Sequence, residues 1–80
     1  MQVAHWDAEK LYLTILKAHP NHPEANHHLG VLAVSSGKPS EAIPFFKIAL
    51  ASCPSQPRFW VSYIDALIRV GDQSQASSVL

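Results

Sequence analysis

Apolar residues recur at steps of three and four along most of this 80-residue chain, which is the spacing of one face of an α-helix. Four such stretches are separated by short segments that contain proline or glycine. Their apolar positions are Ala8, Leu11, Tyr12, Ile15 and Leu16; Ala25, Leu29, Leu32 and Ala33; Ala42, Phe45, Phe46, Ala49 and Leu50; and Trp60, Tyr63, Ile64 and Leu67. The pattern predicts four amphipathic helices, each with one apolar face.

Proline and glycine mark where the predicted helices begin and end. Pro23 and Pro39 suit the first turn of a helix, where a missing backbone N–H costs little. Gly37 suits the left-handed conformation that closes a helix, and Gly71 is expected to end the fourth helix in the same way. Asp72 is a good N-cap and is expected to begin a further helix. The chain is therefore predicted to be all-α, with about five helices.

The chain also agrees with itself at an offset of 34 residues. The identical residues in this register are Ala8, Ala42 and Ala76; Pro20 and Pro54; Pro23 and Pro57; and Gly37 and Gly71. A period of this length is typical of stacked helical hairpins. One hairpin cannot bury its own apolar face, so each copy needs the same small, large and turn residues at the same places.

Residues 23–56 resemble one complete tetratricopeptide repeat, residues 1–22 the second half of a preceding repeat, and residues 57–80 an incomplete following one. The positions that carry the resemblance are Ala8, Tyr12, Pro20, Leu29, Gly30, Ala42, Phe46, Ala49, Pro54, Trp60, Gly71 and Ala76. The resemblance, which extends to bacterial arrays of this family, implies a single domain over residues 1–80. It also implies an α-solenoid, which is a right-handed stack of antiparallel helix pairs.

Small residues and departures from the family pattern predict how closely the helices pack. Gly30 and Ala42 are expected to let paired helices approach closely. Asn26 stands where the family usually has an aromatic residue, so looser packing is expected between the first two helices. Ile64 occupies the position that Gly30 has in the complete repeat, and its larger side chain should move the helix crossing at that point outward. Pro44 lies inside the third helix and predicts a local bend.

In this family the first helix of each pair lines a concave groove, so the resemblance implies a binding surface on the second and fourth helices. Its positions are Glu24, His27, His28, Val31, Val34, Ser35, Arg58, Val61, Ser62, Asp65, Ile68 and Arg69. This mixed surface suits a short peptide or a helix better than a polyanion. The alternative is that these are ordinary solvent-facing residues. Chaperone-tail binding is not predicted, because His27, Val31 and Ser62 replace the Lys and Asn residues of the family's carboxylate clamp.

Charge and composition narrow the class of partner. Six basic and six acidic side chains cancel, which argues against a nucleic acid or a membrane surface and favours a protein or peptide. No apolar run approaches the roughly 20 residues that cross a bilayer, and the first residues lack the features of a signal peptide. We therefore expect a cytoplasmic protein. Cys53 is the only cysteine, which excludes an internal disulfide.

Histidine is the residue type that most invites a chemical role. Among the five histidines, His19 and His22 fall in a turn, and His27 and His28 are adjacent on a helix, where they diverge by about 100°. We predict no metal site and no cofactor, and we favour a pH response of the groove. The serines around Gly37 have no histidine–carboxylate relay, so no catalytic residue is predicted and the chain is not expected to be an enzyme.

The predicted function is a non-catalytic interaction module or scaffold that binds a peptide or helix on its concave face. One alternative is an N-terminal recruiting arm of a larger bacterial enzyme of the glycosyltransferase or sulfotransferase type, which similar repeat arrays often precede. Another is homo-oligomerisation, because both ends of the stack leave apolar faces uncovered. The residues concerned are Tyr63, Leu67, Val79 and Leu80 at one end and Trp6, Leu11 and Leu13 at the other.

Overall fold

The protein is all-helical across the residues that its structure, a computed structural model, describes. These are residues 3–79 for the backbone and residues 9–72 for the side chains. The range contains four helices and no strand: α1 (Val3–Ala18), α2 (Pro23–Ser35), α3 (Pro39–Ser52) and α4 (Pro57–Val79). The predicted all-α class is confirmed for this range, with four helices instead of about five.

Gly37 closes α2 as predicted. Its φ of 80° is left-handed, a conformation that glycine adopts without steric cost. The N–H of Gly37 donates to the carbonyl of Val34 at 3.0 Å, and the N–H of Lys38 donates to the carbonyl of Ala33 at 2.9 Å. These bonds satisfy carbonyls that the end of a helix would otherwise leave unpaired. Pro39 then begins α3, because its fixed φ suits the first helical position.

The prediction that Gly71 ends the fourth helix is wrong. α4 runs unbroken for 23 residues and passes through Gly71. Gly37 is followed two positions later by Pro39, whereas Gln73 occupies the corresponding position after Gly71. Proline disfavours the helical conformation of the residue before it and removes a backbone donor, and glutamine does neither. The helix therefore continues, and the expected fifth helix is not a separate element.

The α1–α2 and α3–α4 turns have the same backbone hydrogen bonds at the offset of 34 residues. The matching pairs of N–H donor and carbonyl acceptor are His19 to Ile15 (2.7 Å) and Cys53 to Ala49 (2.9 Å), then His22 to His19 (3.0 Å) and Gln56 to Cys53 (3.2 Å). The sequence period is therefore also a period of backbone geometry at these two turns.

A side-chain hydrogen bond repeats in the same register. The Nδ2 of Asn26 donates to the carbonyl of Pro20 at 3.0 Å, and the Nε1 of Trp60 donates to the carbonyl of Pro54 at 2.7 Å. Asn26 also donates to the carbonyl of His22 at 2.9 Å and is only 1 % exposed. The amide of Asn26 therefore ties the start of α2 to the preceding turn, while the looser packing expected between α1 and α2 stays a prediction.

The helices α2 and α3 approach each other closely at Gly30. A Cβ atom built on Gly30 would lie less than 3.0 Å from three carbons of the Phe46 ring, a distance that real Cβ atoms essentially never show. Ala42 and Ala49 on the same side of α3 are fully buried. The predicted close approach at Gly30 and Ala42 is confirmed, and it places the aromatic ring of Phe46 at the centre of the core.

Phe59 and Ala66 form the buried face of α4. Phe59 belongs to one buried cluster with Ala49 and Leu50, and Ala66 belongs to another with Ala42 and Phe46. The apolar stripe predicted from the sequence is wrong except for Tyr63, which is half-buried beside both groups. The other members of the stripe are exposed: Trp60 (44 %), Ile64 (51 %) and Leu67 (45 %). α4 rests on α3, which precedes it, so these three residues face away from the core.

Within the described residues, α1 packs against α2 alone. The Tyr12 ring on α1 stacks on the His28 ring of α2, with ring centroids 4.5 Å apart and planes 10° from parallel. Leu11 and Leu13 remain exposed on α1. Two signature positions, Ala8 and Ala76, have side chains outside the described residues.

Candidate functional site

An ion pair joins α2 to α4 at one end of the predicted groove. The Arg58 Nη2 donates to both carboxylate oxygens of Glu24, at 2.8 and 3.2 Å, and the two residues are 34 positions apart. The hydrogen bond from Arg58 lowers the pKa of Glu24, burial opposes it, and the charge of Arg58 adds to the lowering. Because both side chains are well exposed, the pair is worth at most about 1 kcal/mol. It fixes the relative position of the helices more than it stabilises them.

His27 is buried between α2, α3 and α4 and is 7 % exposed. Its ring centroid lies 4.8 Å from that of Phe59 and 5.7 Å from that of Phe46. Its Nε2 is 2.7 Å from the Ser62 Oγ on α4. Its Nδ1 is buried without a hydrogen-bond partner among the described residues. Half of the imidazole's hydrogen-bonding capacity is therefore used to hold α2 to α4.

Burial lowers the pKa of His27, Glu24 opposes this effect, and the positive charges of His28 and Arg58 reinforce it. A protonated ring would carry an N–H at Nδ1 with no acceptor, in contact with two phenylalanine rings. The neutral form is therefore favoured in the folded protein. Of the two histidines on which the sequence bases a pH response, His27 is buried and does not face solvent in the groove.

The distance between His27 and Ser62 is that of a base and the nucleophile it activates. Such pairs act when a third group holds the other ring nitrogen and when the imidazole is basic enough to accept the hydroxyl proton. Here Nδ1 has no partner within the described residues, and burial lowers the pKa of His27. Asp65, which is nearby on α4, is paired with Arg69 at 2.9 Å. The pair is therefore suited to joining helices and poorly suited to nucleophilic catalysis.

A cleft of about 250 Å³ lies beside this pair, between α2 and α4. Its lining combines apolar and polar side chains. The lining residues are Val31, Val34, Ser35, Phe46, Ser62 and Asp65. Five of these are positions that the resemblance assigns to the groove, and Phe46 is the core aromatic residue below them. The cleft can take an apolar side chain and offers hydroxyl and carboxylate groups to the backbone that carries it.

The structure does not bring all twelve predicted groove positions together. Val61 (68 % exposed) and Ile68 (57 %) point outward from α4 and do not line the cleft. His28 is turned toward α1, where it stacks on Tyr12. Arg69 reaches back along α4 to Asp65, at the edge of the cleft. The side chains around the cleft are thus a subset of the predicted surface, and the exposed aliphatic residues of α4 form a separate surface.

Two residues important for this site are missed by sequence reasoning. Phe59 packs on His27, and its burial could have been found from the repeat register, since Ala25, 34 positions earlier, belongs to the apolar stripe predicted for the second helix. Asn26 departs from the pattern of the family that the sequence resembles, so sequence reasoning treats it as a position of looser packing. Its two hydrogen bonds to turn carbonyls give it a stabilising role, and only the geometry of the turn reveals this.

Among the described side chains, no three histidine, cysteine or carboxylate groups converge as metal ligands. No described helix combines the length and the apolar character that crossing a bilayer requires. Comparison with protein-family models gave no match, and no solved structure matched the chain significantly.

Proposed function

We propose that this chain is a helical-repeat module of the tetratricopeptide type that binds a peptide or a helix of another protein and has no catalytic role. Support for the repeat comes from the 34-residue period of the sequence and from the hydrogen bonds that follow the same period at two turns. The Glu24–Arg58 pair, which joins α2 to α4 at the same spacing, extends this support to the contact between helices.

The observation that carries the binding role is the cleft between α2 and α4. Its volume of about 250 Å³ is below the roughly 300–1,000 Å³ of sites that enclose a small molecule, and it matches one or two side chains of a peptide. Val31, Val34 and Phe46 would contact an aliphatic or aromatic side chain. The hydroxyls of Ser35 and Ser62 would accept or donate hydrogen bonds at its backbone, so the partner is a segment with an apolar anchor residue.

The proposal is tested by selecting binders from a random peptide library displayed on phage, with the folded chain as bait. Selected peptides should share an aliphatic or aromatic residue, and Val31→Asp should weaken their binding at least tenfold. Leu11→Asp is the matched control, because Leu11 is an exposed aliphatic residue on α1, away from the cleft. Peptides that bind Val31→Asp as well as the unmodified chain would place the binding site elsewhere and contradict the proposal.

The proposed absence of catalysis is tested separately, because His27 and Ser62 have the spacing of the base and nucleophile of a hydrolase. With p-nitrophenyl acetate as substrate, the chain and its Ser62→Ala variant should hydrolyse the ester at the same rate. A rate that falls to the uncatalysed level in Ser62→Ala would show that Ser62 acts as a nucleophile and would overturn this part of the proposal.

A further inference from the structure

The exposed side of α4 between Pro57 and Gly71 is an uninterrupted apolar arc. At 100° per residue, seven positions fall within an arc of about 120°. They are Pro57, Trp60, Val61, Ile64, Leu67, Ile68 and Gly71, and not one is polar. Five of them are large and between 44 and 68 % exposed. A contiguous face of this kind on one helix marks a protein contact, whereas singly exposed apolar residues do not.

We infer that this apolar arc binds the same arc of a second copy of the chain, with the two α4 helices antiparallel. The arc lies on another side of α4 from the cleft, and of the residues used here only Asp65 also lines the cleft. The inference rests on the shape of the arc and on the charges beside it, and both fit a two-fold pair with its centre next to Asp65.

The shape argument concerns the largest and smallest residues of the arc. In an antiparallel pair centred next to Asp65, Trp60 of one copy lies over Gly71 of the other. Gly71 has open space around it, with no heavy atom within 4 Å of a Cβ built there. An aromatic ring also packs against a glycine within the chain, where the Phe46 ring occupies the space that Gly30 leaves on α2. Two such contacts, one at each end, would close the symmetric pair.

The charge argument concerns one flank of the arc. A two-fold axis perpendicular to the helices brings the same flank of both copies together. Arg58 of one copy, which also pairs with Glu24 of its own chain at 2.8 Å, then lies at the level of Asp72 of the other copy, at both ends of the pair. Asp65 lies near the axis, where the two carboxylates would repel each other, but Arg69 already neutralises each within its own chain at 2.9 Å. In a parallel pair the two-fold axis runs along the helices and brings opposite flanks together, so Arg58 of one copy would not lie on the same side as Asp72 of the other.

The first test is the molar mass in solution by light scattering, over a hundredfold range of concentration that reaches about 1 mM, where an association of about −4 kcal/mol is half formed. We expect a monomer–dimer equilibrium with no larger species. Ile64→Asp, at the middle of the arc, should leave only monomer, with unchanged helicity by circular dichroism. Leu11→Asp, an equally exposed aliphatic residue on α1, should dimerise like the unmodified chain.

The second test examines whether the two α4 helices are antiparallel, and the answer depends on whether a substitution at Gly71 weakens or strengthens dimerisation. Gly71→Leu adds apolar surface to the arc but fills the space that receives Trp60. In the antiparallel pair it should weaken dimerisation about tenfold, the effect of overpacking by roughly 1.4 kcal/mol. A dimer strengthened by Gly71→Leu would exclude this arrangement. A chain that stays monomeric, a dimer that survives Ile64→Asp, or open-ended oligomers would each overturn the inference.

Discussion

Two buried polar side chains, Asn26 and His27, lie on α2. Burying an amide or an imidazole destabilises a fold unless its hydrogen bonds are made. Asn26 makes two bonds to carbonyls of the preceding turn, whereas His27 makes one and leaves Nδ1 without a partner among the described residues. Asn26 is therefore a source of stability at neutral pH and at acidic pH alike. His27 makes stability conditional on pH, because only its neutral form fits.

Replacing Asn26 by leucine should destabilise the fold by about 1–3 kcal/mol, because a buried side chain loses its two hydrogen bonds to the carbonyls of Pro20 and His22 while its volume is kept. Trp60→Phe is the matched control, since it removes the corresponding bond to the Pro54 carbonyl at an exposed position, where water can replace it. It should cost about 0.5 kcal/mol or less. Urea denaturation of both variants measures the difference, and equal losses would mean that burial does not decide the effect.

The stability of the fold should fall as the pH decreases below about 6.5. Burial lowers the pKa of His27 in the folded chain relative to its ordinary value of 6.5, so in this window the unfolded chain binds a proton that the folded chain resists. The full contribution is present above pH 6.5, and the loss is at most about 1.4 kcal/mol per pH unit below it. The pKa of Glu24 is also lowered, but its contribution is lost only below its ordinary value of 4.5.

Urea denaturation at about pH 7.5 and about pH 5.5 measures this loss, and both values lie above the Glu24 window. The His27→Asn variant can still donate a hydrogen bond and does not titrate, so its stability should change less between the two conditions. An unchanged pH dependence in His27→Asn would assign the effect to other histidines.

At the scale of the element, α4 shows that a repeat in sequence need not give a repeat in structure. Gly37 and Gly71 occupy the same register, yet only Gly37 has a positive φ and ends a helix. The residue that differs is Pro39, which disfavours continuation of α2 and has no counterpart after Gly71. A glycine permits a helix to end and does not require it to do so.

Gly71→Ala should therefore stabilise the protein by up to about 1 kcal/mol, because alanine has the higher helix propensity and its Cβ meets no heavy atom within 4 Å. If Gly71 instead adopted the left-handed conformation of a cap, alanine would destabilise the chain. The other helical glycine is the control. Gly30→Ala gains the same propensity but drives a Cβ into the Phe46 ring, and it should be destabilising by about 1–2 kcal/mol net. Thermal unfolding of both variants decides between these cases.

Much of the fold could be predicted from local signals in the sequence. Pro23, Pro39 and Gly37 fix the ends of α2 and the start of α3 because proline and glycine act on the backbone directly. The face that α4 buries could not be predicted from its own pattern. Phe59 and Trp60 are both large and apolar, and which of them is buried depends on where α3 lies. The cleft also depends on tertiary packing, since Phe46 lines it from a different helix.

At the scale of the whole molecule, each helix packs mainly on its neighbours in sequence, and α2 also meets α4. The α1 helix is attached at one face, through contacts such as the stacked rings of Tyr12 and His28. By contrast, α3 lies between α2 and α4 and contributes the fully buried Ala42 and Ala49. The free energy of local opening should therefore differ along the chain, as in proteins whose units contact only their neighbours in sequence.

Native-state hydrogen exchange should reveal this gradient. Backbone amides of residues 12–18 in α1 should exchange at a lower opening free energy than those of residues 43–50 in α3, because opening α1 exposes only its interface with α2. Amides of α3 should exchange through global unfolding. Equal protection of the two segments would show that the chain unfolds as a single cooperative unit.

The hydrogen bonds from Asn26 to Pro20 and from Trp60 to Pro54 also affect which substitutions are tolerated at the two turns. An amide and an indole share neither shape nor polarity, yet each places an N–H on a proline carbonyl six residues earlier. What the two residues share is a donor of suitable reach, not a residue type. In a saturation mutagenesis experiment, the tolerated residues at the buried Asn26 should be grouped by hydrogen-bond donation, whereas at the exposed Trp60, where water can replace the bond, this grouping should be weak.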